Sequence, residues 1–240
     1  MKPFYYKLIV IIAFAIAMGF LEAVVVVYLR EIYYPDGFGF PLSRIEPGIF
    51  GVELIRELTT LVMLVSIGLL AGKSKNEKFA FFLFAFGIWD IFYYLGLKLF
   101  LNWPASLFTW DILFLIPVTW IGPVMAPVIC SLTMIAMGTG ILWIESKGRR
   151  FKFGLTAWVT ILFGTVLVFA SFVEDYSRLL YDAGFFSGKI LPVELGFIDT
   201  ITTFVPGHFN WLLFGFGVLL VVTGMVFAFW KNKQAAYKTN

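Results

Sequence analysis

Runs of apolar residues dominate this chain, and their period is neither that of strands nor that of an amphipathic surface helix. Six stretches, about 8–29, 51–72, 78–101, 120–143, 153–173 and 207–230, are each near the twenty or so residues that an α-helix needs to cross a bilayer. The pattern predicts an all-α integral membrane protein of six transmembrane helices. Short connections make residues 1–240 a single polytopic domain. The first stretch follows Lys2 and Lys7, and Ala15-Ile16-Ala17 resembles a cleavage site. Apolar residues nevertheless continue to Val27, so a retained helix is expected.

Two regions depart from the simple pattern. Residues 104–145 are too long for one span and short for two, and Pro117, Pro123 and Pro127 interrupt helical hydrogen bonding there. A re-entrant or interfacial segment over 104–116, followed by the fourth span, fits best. Residues 190–205 are apolar but carry Glu194, Asp199, Thr200, Thr202 and Thr203. A second such segment is expected there. Non-helical backbone at membrane depth requires protein or a water-filled cavity around it, so both segments would roof a cavity on the outer side.

Composition agrees with the pattern: 60% of residues are hydrophobic and 14% charged, against about 25% charged in soluble domains. Charge placement adds the orientation. With the N-terminus in the cytoplasm, the inner segments hold Lys2, Lys7, Lys73, Lys75 and Lys78, then Lys147, Arg149, Arg150 and Lys152, then Lys231, Lys233 and Lys238. That is twelve of the eighteen Lys and Arg, so the positive-inside rule places both termini in the cytoplasm of a cell whose plasma (inner) membrane holds the protein. The net charge of +3 follows from topology and carries no nucleic-acid footprint. The bilayer is the expected partner, with a membrane-protein partner or a second copy as a further possibility. Cys130, the single cysteine, lies within a span and excludes an internal disulfide.

Ionisable residues inside apolar spans are expensive and are functional candidates by default. Here they gather toward the outer side. Glu22 lies on the first span; Glu53, Arg56 and Glu57 share one face of the second; Asp90, Tyr94 and Lys98 follow at four-residue intervals on the third; Asp111 and His208 come from the segments between spans. Counting Arg56 and Lys98 against five acids leaves negative charge over. This favours bound protons, water or a cation above pure salt bridging. Glu57 and Asp90 are the candidates for acid–base work, with His208 as proton shuttle. Arg56 and Lys98 are placed to hold an anionic group, and Tyr94 to donate a hydrogen bond. Glu22 and Asp111, with Glu57, Asp90 and His208, could ligate a divalent cation. Glu53 fits a capping role at the start of its helix.

No HExxH, ExxH, CxxC, phosphate loop or GxSxG motif is present. Gly138-Thr139-Gly140 reads as helix packing, as do Thr156, Thr160 and Gly164. The inner halves of the spans carry no charge, which disfavours transport through a midplane site open to both sides. The expected function is an outward-facing acidic cavity that binds or processes a small polar or lipid-head-group substrate. A non-catalytic subunit or assembly factor of a larger membrane complex is the main rival, and a proton- or cation-coupled transporter comes third.

Overall fold

The structure, a computed structural model, describes residues 2–182, 184 and 203–237. Among these residues six helices are long and apolar enough to cross a membrane: α1 (Lys2–Tyr33), α2 (Pro47–Ala71), α3 (Lys75–Leu101), α4 (Met125–Ser146), α5 (Leu155–Asp182) and α6 (Trp211–Tyr237). The chain is thus multi-pass. The expected second segment, 190–205, falls largely outside the described residues.

Local chemistry sets the helix ends. Pro47 opens α2, where its missing N–H is no loss. The Ser74 hydroxyl accepts from Glu77 N–H, and the Glu77 carboxylate accepts from Lys73 N–H at 2.6 Å, a reciprocal cap for α3. Asn102, left-handed at φ 51°, closes α3 before Trp103-Pro104. Pro127 lies in the first turn of α4, where no intrahelical donor is required. Asn210 caps α6 by accepting from Leu213 N–H at 3.0 Å.

Helix α3 is central. Of its most apolar window 56% is buried, against 28% to 39% in the other five, and it packs against α1, α2 and α4. Small residues permit the close approaches. A Cβ at Gly87 would sit 2.6 Å from the Ser131 carbonyl oxygen of α4. Gly138 likewise abuts Ala80, confirming its packing role. Helices α5 and α6 form a separate pair in which Gly164 and Gly217 face each other. The face of α5 that meets α6 carries Ala157, Ile161 and Gly164, with Gly217 and Gly224 opposite; Thr156 is exposed and does not belong to it.

The fold is not wholly helical. Residues expected as a re-entrant or interfacial segment and the start of the fourth span form an antiparallel hairpin, β1 (Trp110–Phe114) and β2 (Trp120–Pro123), with Asp111 opposite Gly122 and a bulge between Ile112 and Phe114. Aromatic and β-branched residues suit a ladder, and Pro117 sits in the turn rather than breaking a helix. Span four therefore begins at Met125. The ladder continues beyond the strands: Val124 N–H donates to Thr109 C=O and Met125 N–H to Leu107 C=O, so the hairpin satisfies backbone donors where α4 starts. Trp120 packs on Phe169 and Phe172 of α5, and Phe114 on Phe86 and Trp89 of α3. The hairpin thus lies between the α3 group and the α5–α6 pair.

Candidate functional site: a cavity with a charged end and an apolar arm

Polar residues from α1, α2, α3, α4 and the hairpin line one cavity of about 580 Å³. On α2, Arg56 Nε donates to Glu53 Oε2 at 2.8 Å, and the same guanidinium contacts Glu22 of α1. Glu22 also accepts from the Thr60 hydroxyl at 3.1 Å. One turn deeper, both Glu57 oxygens accept from Leu115 N–H at the hairpin tip, at 3.0 and 2.9 Å.

Arg30 makes the second charged cluster. Its Nη2 donates to Asp111 Oδ1 at 3.0 Å, the Tyr94 hydroxyl donates to Asp111 Oδ2 at 3.2 Å, and the guanidinium lies over the Trp103 and Phe38 rings. Both charged side chains are buried. Burial pushes the Asp111 carboxyl up to about 6, while Arg30, the Ile112 N–H and Tyr94 pull it the other way. Asp90 is the third centre: its Oδ2 accepts from the Ser131 hydroxyl across the α3–α4 contact, at 2.7 Å.

The cavity continues away from these charges as an apolar arm between α3–α4 and α5–α6. Phe86, Met134, Met137, Trp158, Leu162 and Val221 are among its walls, and among the described residues no ionisable group other than the Cys130 thiol lines it. Leu162 and Thr165 of α5 line the arm and are themselves exposed.

The expected residues are only partly brought together. Glu22, Arg56, Glu57, Asp90, Tyr94 and Asp111 all line the cavity. Lys98 does not: its ammonium turns outward to the carbonyls of Asn102 and Pro104. His208 is exposed ahead of α6, with its backbone N–H toward Asp175, and lines no part of the cavity. Glu53 is no cap. It is buried two turns into α2 as a partner of Arg56. Arg56, expected to hold an anionic group, is already held between two carboxylates. Among the described residues no group of three or more His, Cys, Asp or Glu is disposed to hold a metal ion; Glu22, Glu57 and Asp111 each engage a different protein donor instead.

Sequence reasoning passed over Arg30, Ser131 and Trp89. Arg30 had a signal, as a cation on the cation-poor side directly after an apolar run. Ser131 had none, because its role depends on how closely α3 and α4 approach. Compared with protein-family models, curated proteins and solved structures, the chain matches none.

Proposed function

We propose that this chain is a plasma-membrane protein whose cavity faces outward and binds a small polar compound or a lipid head group. Lysine and arginine bias supports the orientation, with both termini inside. In that frame the hairpin is a re-entrant element. Its ladder and the Glu57 carboxylate meet the demand that backbone groups at membrane depth be satisfied internally.

One observation carries the reading: the charged end of the cavity is internally paired yet keeps unspent polar atoms. Among the described residues the buried Trp89 indole N–H and Arg30 Nη1 have no hydrogen-bond partner. Ser131 occupies Asp90 Oδ2 and Arg56 occupies Glu53 Oε2, leaving Oδ1 and Oε1 without a protein donor among the described residues. Each of the two buried donors costs about 1–3 kcal/mol unless a ligand or water meets it. The volume lies within the range of about 300–1,000 Å³ usual for small-molecule sites. The apolar arm argues against an ion path to the other side.

Native mass spectrometry of the full chain, extracted in mild detergent, tests the proposal. The wild type should retain a stoichiometric adduct, and Asp90→Asn and Arg30→Met should lose it while remaining helical and monodisperse. An adduct-free wild type, or variants that keep the adduct, would sink the reading.

A further inference from the structure

The arm and the polar end belong to one cavity, and together they define an amphiphile. We infer that the arm holds the hydrocarbon chain of a membrane lipid whose head, hydroxyl-bearing and without net negative charge, sits at the Arg30–Asp90 end. The inference rests on the binding proposed above and names its ligand class.

The head follows from the polar inventory. Among the described residues of the cavity wall, Glu22, Glu53, Glu57, Asp90 and Asp111 face Arg30 and Arg56 as the only bases, a formal excess of three negative charges. A phosphate or carboxylate head would add to that excess, because the charge of each guanidinium is already balanced by a carboxylate even where a donor such as Arg30 Nη1 is left over. A simple ammonium head would leave the Trp89 and Arg30 donors unpaired, since it has no acceptor. A hydroxyl both donates and accepts. It can give a proton to Asp90 Oδ1 or Glu53 Oε1 and receive one from Trp89 Nε1 or Arg30 Nη1.

The chain follows from the arm. From Asp90 to Phe79, both in the cavity wall on α3, the helix rises about 16 Å at 1.5 Å per residue. That is about half of a hydrocarbon core some 30 Å thick, so the arm reaches from the middle of α3 to its first turn and has the length for a single acyl chain. The far end is closed by aromatic packing of Phe79 against Trp158 and Phe153. A lipid already in the membrane can enter past the exposed Leu162 and Thr165, with no need to leave the bilayer.

The test uses the full chain in phosphatidylcholine nanodiscs with a monoacylglycerol that carries a diazirine midway along its chain. Photolabelling should be saturable and map to Met134, Met137, Trp158 or Leu162. Unlabelled monoacylglycerol should compete at least about tenfold better than phosphatidic acid of equal chain length. Leu162→Trp and Thr165→Trp change exposed residues that line the arm and should cut labelling by about tenfold or more. Labelling spread over lipid-facing residues such as Leu21 and Ile55, or unaffected by both Trp variants, overturns the arm as a chain site. Equal competition by phosphatidic acid overturns the head-group class. The two readings fail separately. If Asp90→Asn and Arg30→Met lose the native adduct but arm labelling is unspecific, only this inference falls. If labelling is saturable in the arm yet indifferent to those two variants, the polar end is not the head-group site.

Discussion

Glu57 of α2 receives the Leu115 backbone N–H on both carboxylate oxygens, at 3.0 and 2.9 Å. A carboxylate in the middle of an apolar helix thus terminates a β-hairpin that, among the described residues, has no neighbouring strand at its tip. That contact accounts for an otherwise costly residue and ties the hairpin to α2.

Replacing Glu57 with Leu should leave the half-buried Leu115 donor unmet, lowering stability by about 1 kcal/mol, the low end for an unmet donor. Glu57→Gln keeps an acceptor and should recover most of the loss. Thermal unfolding in detergent measures both, and a Leu variant as stable as the wild type would show that the contact is idle.

Arg56 holds Glu22 and Glu53 together across α1 and α2. Arg56→Met should destabilise by roughly 3 kcal/mol, the low end for a broken buried pair because the Arg56 side chain keeps 20% exposure. Adding Glu22→Gln and Glu53→Gln removes the stranded charges and should restore much of that stability. A triple variant weaker than the single one would count against charge pairing as the reason.

Asp111 gives a pH signature. Its carboxyl is raised by burial to about 6, against an ordinary value near 4, so the folded state favours the protonated form. Its contribution to stability is therefore full below pH about 4 and lost as pH rises through about 6. Melting temperature should fall across that window, and Asp111→Asn should flatten the fall. An unchanged slope in the variant would assign the titration elsewhere.

Gly87 sets the distance between α3 and α4. A methyl group there would meet the Ser131 carbonyl oxygen at 2.6 Å and Ile135 Cγ1 at 2.7 Å, and backbone cannot move aside as a side chain can. Gly87→Ala should cost about 1–3 kcal/mol and shift Ser131 from Asp90, visible as loss of the native adduct. Retention of both would mean that the helices part without harm.

Orientation is open to direct labelling. In a Cys130→Ser background, cysteines at Ser74 and Lys147 should be protected from an impermeant thiol reagent in intact cells, and one at Ser43 should react. The opposite pattern would invert the topology.

The six helices were legible in the chain because burying roughly twenty apolar residues in lipid depends on local composition, whatever the neighbours are. The gathering of Glu22, Arg56, Glu57, Asp90 and Tyr94 was legible too, since depth along each span is a matter of counting. Partnership was not. Arg30 lies 81 positions from Asp111 and Asp90 lies 41 from Ser131, and no periodicity within one helix reports a contact made between two. The hairpin was hidden for a related reason: Trp110–Phe114 is as apolar as a membrane segment, and what makes it a strand is pairing with Trp120–Pro123 and the carboxylate of Glu57. The apolar arm belongs wholly to tertiary structure. It is space left where α5 and α6 pair with each other more closely than with α4, and unfilled space has no residues of its own to be read.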